Sequence, residues 1–278
     1  MESVDPVSVP AVPGGEPQPS AIAARFDLWA PGYDGSILQE AFYTRLHLHA
    51  LQLAAHANPA PTRLLDLGCG TGRLLRAAAM RFPHTELLGI DISAGMLSQA
   101  AGAQDGHHRP AHTQPLDHLS AAAQDGHVPI HPRRPAGVPR RPAYLRADAA
   151  NLPITDAAID VTICTATSHH WPDPEPPLAQ LRRVTAADGL LILAHLPGIA
   201  SWDVHPATMR RPCRAGTSPL TTLLAEAGFR ITKAALYAEC PVMPTTVVLC
   251  ARPDTAPRPR GPSRLLRSGG AYQTRSST

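Results

Sequence analysis

Leu64-Leu65-Asp66-Leu67-Gly68-Cys69-Gly70-Thr71-Gly72 is the stretch whose reading decides the fold. A short apolar run ends in the carboxylate of Asp66. Three glycines at alternate positions follow. Arg73-Leu74-Leu75-Arg76-Ala77-Ala78-Ala79 then supplies good helix formers. The order is strand, tight turn, helix. Glycine lets the backbone turn tightly and approach a ligand closely. A second apolar run, Glu86-Leu87-Leu88-Gly89-Ile90-Asp91, ends in another acid. A carboxylate there can accept hydrogen bonds from both hydroxyls of a ribose.

The glycine spacing narrows the ligand. A pyrophosphate site uses G-x-G-x-x-G so that the phosphates rest on the helix N-terminus. Here the pattern is Asp-x-Gly-x-Gly-x-Gly, and Asp66 repels phosphate and attracts a cation. An adenosine with a positively charged amino-acid tail fits better, and S-adenosyl-L-methionine (SAM) is such a molecule. The competing reading is a strand-turn-helix whose glycines serve packing alone, with Asp66 and Asp91 capping the helices that follow them.

The segment resembles motif I of the class I SAM-dependent methyltransferases, and further segments resemble that family in order. Gly89 to Leu97 resembles its second strand and next helix. Arg146 to Pro153 resembles its third strand end, and Asp160 to Thr165 its fourth strand. Leu181 to Val184 with Asp188 to Leu193 resembles its helix-turn-strand unit. The resemblance covers residues 22–252 with one interruption. It implies an α/β fold: a Rossmann-like, seven-stranded, mostly parallel sheet with an antiparallel last strand and helices on both faces.

The order of apolar runs agrees. Strands are expected at 63–67, 86–91, 143–147, 159–164, 189–194, 229–238 and 244–251. Helices are expected at 71–81, 94–101, 175–185 and 218–227. Alternation of this kind gives a parallel sheet between helices. The last two strands follow one another closely and should pair antiparallel. Residues 21–57 read as helical, with Leu38, Phe42, Leu46, His49 and Leu53 spaced to face a core.

In open α/β sheets, ligands bind at the carboxyl ends of the strands, and the marked residues gather there. The resemblance implies that Asp66, Gly68, Gly70 and Gly72 form the motif I cradle around the methionine part of SAM. It implies Asp91 on the ribose and Ile92 and Met96 flanking the adenine. It further implies Asp148 and the Ala149 N–H on the adenine edge, and Thr165 beside the aminoacyl end. Asp156 and Asp160 read as shaping the turn into the fourth strand.

The acceptor side begins at Ser168-His169-His170-Trp171-Pro172-Asp173. Methyl transfer from a sulfonium is an in-line displacement, and a hydroxyl acceptor can use a base. Histidine titrates near pH 6.5 and suits that role. Small-molecule O-methyltransferases with an H-D-W-S-D string carry their catalytic histidine at the place matching His169, whereas His170 here replaces the aspartate. His169 and His170 are therefore the catalytic candidates, against a role in packing or the substrate wall. Tyr33, Trp171 and Trp202 are candidate substrate contacts. Tyr33 lies in a stretch, Phe26 to Asp34, that resembles the family's N-terminal lid, although Phe26, Trp29 and Tyr33 alternatively just dock a helix. His205, Met209, Arg210 and Arg211 are further possible lining.

Residues 1–20 and 253–278 read as disordered, and 21–252 as the methyltransferase domain. Residues 102–142 interrupt it with a low-complexity tract rich in proline and histidine. Ala-Gln-Asp-Gly-His occurs there at 103–107 and again at 123–127. A zinc site from His107, His108, His112, His118, His127 and His131 lacks a cysteine pair or ordered helical spacing, so no metal is expected. The net charge of +3 gives no nucleic-acid signature. No run is long and apolar enough to span a membrane. Scattered cysteines read as buried free thiols in a reducing cytoplasm.

The expected function is SAM-dependent methyl transfer to a small-molecule acceptor, at oxygen before nitrogen or carbon. No Asn/Asp-Pro-Pro-Tyr string follows the fourth strand, which argues against DNA bases and protein amides. A C-methyltransferase of quinone-pathway type is the alternative within the class. A SAM-binding protein without catalysis, or an NAD-linked oxidoreductase, are the alternatives outside it. No nucleic-acid or membrane partner is expected, and the sequence leaves the oligomeric state open.

Overall fold

The structure, a computed structural model, describes residues 19–104, 140–197, 219–238 and 245–255. Trp202, the histidines of the interrupting tract, the first 18 residues and the tail beyond residue 255 lie outside the described residues.

Seven strands form one sheet: β1 (Arg63–Leu67), β2 (Glu86–Asp91), β3 (Ala143–Arg146), β4 (Ile159–Thr165), β5 (Thr185–His195), β6 (Phe229–Tyr237) and β7 (Thr246–Pro253). Their order is β3-β2-β1-β4-β5-β7-β6. The first five run parallel, and β7 is antiparallel to both β5 and β6. The strand order reverses at β1, with β2 on one side and β4 on the other, which opens a crevice at their carboxyl ends.

Among the described residues, six α-helices surround the sheet: α1 (Pro19–Tyr33), α2 (Thr44–Ala57), α3 (Arg73–Arg81), α4 (Ala94–Gln104), α5 (Glu175–Val184) and α6 (Pro219–Glu226). The central strands carry near-continuous apolar runs because helices cover both faces. Along β5, Leu190, Ile192 and Ala194 join one core with Leu46, Ala50 and Leu75. Leu191 and Leu193 join the other with Leu178, Leu181 and Leu224. That is the two-residue period of a strand. Leu46 is fully buried, and truncating such a side chain to alanine costs about 2–5 kcal/mol.

Several boundaries differ from the expected ones, β7 running Thr246–Pro253 rather than 244–251 and α3 starting at Arg73 rather than 71, and three differences have local reasons. The helical stretch 21–57 is broken at Asp34-Gly35-Ser36 and carries a π turn at Gln39–Tyr43. The extra residue of the π turn rotates the helix that follows. The buried stripe is therefore Phe42, Leu46, Ala50 and Ala54, while Leu38, His49 and Leu53 are half-buried. β5 starts at Thr185, four residues early, because Thr185 pairs with Ile159 across an irregularity that resumes at Leu190 and Val161. Helix α4 runs to Gln104, whose amide donates to the Pro142 carbonyl at 3.0 Å. The chain leaves and re-enters the domain at neighbouring points.

Candidate active site

A cavity of about 280 Å³ occupies the crevice at the strand ends. Its floor is the motif I turn. Gly68 and Gly70 have φ of +75° and +52°, where a side chain is strained. A Cβ on Gly68 would lie 2.3 Å from Thr167. A Cβ on Gly70 would meet only the Tyr33 ring, at 3.9 Å. The Gly70 backbone is therefore bare toward the cavity.

Asp91 ties this floor to α4. Its Oδ2 accepts the Gly70 N–H at 2.8 Å, and its Oδ1 accepts the Ser93 N–H at 2.9 Å. The capping alternative for Asp91 does not hold, since Ser93 Oγ accepts the Met96 N–H and caps α4 itself. Asp91 reaches the cavity with its remaining lone pairs. Burial raises its pKa, and the backbone hydrogen bonds from Ser93, Gly70 and Ile92 oppose that rise.

Asp66 is buried beside it, at 2% exposure. Burial, with the Asp91 charge adding to it, pushes its carboxyl up to about 8. A carboxyl in that state gains by meeting a cation. Asp148 Oδ1 accepts the Ala150 N–H at 2.9 Å and shapes the turn after β3. Ile92, Met96, Asp148, Ala149 and Thr165 all line the cavity. Gly72 does not: the space over its Cα belongs to the Tyr144 phenol, 2.2 Å from where a Cβ would stand. Asp160 accepts the N–H groups of Thr62 and Arg63 and so fastens the start of β1. Asp156 pairs with Arg183 at 2.7 Å.

The opposite wall carries His169, His170 and Trp171. They sit on a 3₁₀ turn, Ser168–His170. Ser168 holds the turn to the sheet through a 2.9 Å hydrogen bond with His195 Nδ1, both residues being fully buried. Ala166 before it has φ of +50°, a conformation disfavoured for a residue with a Cβ and concentrated at functional sites. Burial, then the His170, His195 and Arg25 charges, lower the His169 pKa to about 2. Burial and Arg25 lower that of His170 to about 4. Both rings are neutral at physiological pH. Nδ1 of His169 is buried without a hydrogen-bond partner among the described residues.

Helix α1 roofs the cavity with Ile22, Phe26, Trp29 and Tyr33. The Phe26 ring meets the His170 edge, centroids 5.0 Å apart at 73°. Burial, with Tyr43 next in effect, raises the Tyr33 pKa. The structure thus brings together every proposed site residue that it describes except Gly72. It also adds residues that the sequence did not single out for the cavity: Gln39, Tyr43, His47 and Arg73. His47 is pushed down to about 4 by burial and then by Arg73. The π turn was the missing signal, because it turns Gln39 and Tyr43 inward.

Fold and site define an α/β protein with a nucleoside-type crevice at the strand switch point. Residues 65–191 match the family model described as "Methyltransferase domain". The chain is 30% identical over 181 residues to malonyl-[acyl-carrier protein] O-methyltransferase of Laribacter hongkongensis, covering 64% of this chain and 50% of that relative. It is 29% identical over 178 residues to demethylmenaquinone methyltransferase of Thermus thermophilus, covering 64% of each. The [4+2]-cyclase SpnF shares the fold at a TM-score of 0.59 and 18% identity, over 86% of this chain and 97% of that one. The matched domain, the relatives and the shared fold support a class I SAM-dependent methyltransferase. It spans about half the length of the first curated relatives it matches.

SAM is the cofactor of that family, and the residues present suit it. The bare Gly70 backbone, the carboxylates of Asp66 and Asp91 and the apolar Ile92 and Met96 match a cationic nucleoside's tail, ribose and base. Among the described residues no group of three or more His, Cys, Asp or Glu side chains is arranged to hold a metal. No described helix is long and apolar enough to cross a membrane.

Proposed function

We propose that this protein transfers the SAM methyl group to an oxygen of a small, partly aromatic acceptor. The observation that carries this reading is that one cavity joins two kinds of lining. Carboxylates and bare backbone line its floor at the strand ends, and imidazoles, Phe26, Trp29 and Trp171 also line it. The acceptor oxygen donates a lone pair to the methyl carbon as the carbon–sulfur bond breaks, and the bonding pair stays on sulfur to give neutral S-adenosylhomocysteine.

In this reading Asp91 holds the ribose hydroxyls, and Ile92, Met96, Asp148 and Ala149 hold the adenine. Asp66, Gly68, Gly70 and Thr165 surround the aminoacyl tail. Gly72 supports the turn from behind. Tyr33 and Trp171 wall the reaction centre, and their packing excludes water and fixes alignment, which can supply much of the rate. His169 and His170 are too weakly basic to remove a proton efficiently near neutral pH. The acceptor therefore reacts as an oxyanion already formed.

The relative named demethylmenaquinone methyltransferase keeps the C-methyltransferase of quinone-pathway type as the second reading. Incubation of a small-molecule extract with SAM carrying a ¹³C methyl separates the two. A product signal in the methoxy or methyl-ester region supports oxygen. A carbon-bound methyl signal replaces this reading with the second one.

A further inference from the structure

Arg25 of α1 places a guanidinium nitrogen 3.2 Å from His170 Nδ1. A guanidinium only donates, so Nδ1 accepts and the ring proton of the neutral histidine sits on Nε2. Arg25 lies 145 residues from His170 in sequence, yet it fixes the tautomer of a ring that lines the cavity. No carboxylate pairs with Arg25 among the described residues, and its Nε is buried without a partner. Its charge rests instead over the Phe26 ring, 5.1 Å from the centroid. The Phe26 ring in turn meets the edge of His170. A cation with no counter-ion among the described residues thus stands behind an N–H donor that lines the cavity.

We infer that Arg25 and His170 form an oxyanion receptor for the methyl acceptor: His170 donates its Nε2–H to the acceptor oxygen, and Arg25 is the positioning residue that holds His170 as a donor. This rests on the methyl-transfer reading and specifies its substrate class. The acceptor carries an acidic hydroxyl, of the phenol or enol kind, and binds with that oxygen ionised. Its proton leaves to solvent before transfer, so no residue of the chain needs to take it. The depressed basicity of His170 accords with a ring that keeps its donor role over the whole working pH range.

The test uses the protein loaded with S-adenosylhomocysteine and the probe 4-nitrophenol, whose phenolate is yellow and whose phenol is colourless. The wild type should favour the phenolate by about tenfold over free solution, the effect of one hydrogen bond to a charged group. Arg25→Met and His170→Phe should lose that preference, and Arg25→Lys should retain part of it. S-adenosylhomocysteine affinity, measured by calorimetry, should be unchanged in all three variants, which shows that they are folded. Absence of any phenolate preference in the loaded wild type overturns the inference and leaves methyl transfer standing. So does a preference that survives both Arg25→Met and His170→Phe. Failure of the wild type to bind S-adenosylhomocysteine removes the methyl-transfer reading, and the inference falls with it.

Discussion

Asp27 caps a helix to which it does not belong: its Oδ1 accepts the Ser93 hydroxyl at 2.6 Å and the Gly95 N–H at 2.8 Å at the start of α4. Ser93 in turn donates its N–H to Asp91. One serine thus joins the roofing helix α1 to the acid at the end of β2. The two helices meet closely here, since a Cβ on Gly95 would lie 3.0 Å from the Asp27 Cα.

Asp27→Ala should therefore act on both stability and cofactor binding. Loss of a helix cap costs about 1–2 kcal/mol. Urea unfolding should report that loss, and SAM affinity should drop as α1 loosens over the cavity. Asp27→Asn keeps an acceptor oxygen and should cost less. Equal stability of Asp27→Ala and wild type would refute the coupling.

Asp91→Ala should lower SAM affinity by roughly ten- to a hundredfold, the worth of a lost hydrogen bond to a charged group. The far-ultraviolet spectrum should persist, because the sheet does not depend on that side chain. Unchanged affinity by calorimetry would move the ribose away from β2.

Asp66 gives a pH dependence of opposite sign to an ordinary surface acid. Its folded value, about 8, lies above the 3.8 of an ordinary aspartate. Its contribution to stability is fully present below about pH 4 and is lost as pH rises toward 8. The melting temperature without SAM should fall between pH 5 and 9, and Asp66→Asn should flatten that fall. A cation bound beside Asp66 restores its charge, so SAM binding at pH 7 should release a proton. Calorimetry in buffers of different ionisation enthalpy measures this, and uptake of a proton would contradict the assignment.

The histidines give a second pH window. Their folded values, about 2 for His169 and about 4 for His170, lie below 6.5. Their stabilising contribution is present above pH 6.5 and is lost as pH falls through 4. Turnover should show no limb near pH 6.5, and His169→Gln should retain most activity. A limb near 6.5 that vanishes in His169→Gln would make His169 a base after all.

Removal of residues 106–138 with a short bridge should leave SAM binding intact. Gln104 and Pro142 already touch at 3.0 Å, and Arg140 pairs with Glu86 at 2.8 Å. Loop closure depends only weakly on length. Loss of SAM-competent protein would assign the tract a structural role.

The placement of Asp66, Gly68, Gly70 and Asp91 at the crevice was legible from sequence because each is fixed locally, by a strand end and a turn. Strand placement was legible for the same reason, down to the residue at β1 and β2. The Arg25–His170 and Asp27–Ser93 contacts were not, since they join residues 145 and 66 apart in the chain. The inward turn of Gln39 and Tyr43 was hidden too, because a π turn leaves no change in hydrophobic period. Gly72 fits the motif by spacing, yet its space belongs to Tyr144, a residue on another strand.

The most direct measurement is conversion of SAM by the purified protein in a small-molecule extract, followed by mass spectrometry. The account predicts S-adenosylhomocysteine in equal amount with a product heavier by one methylene, and little of either from Asp91→Ala. SAM that binds but is never converted, whatever the extract, would contradict it and leave a SAM-binding protein without methyl transfer.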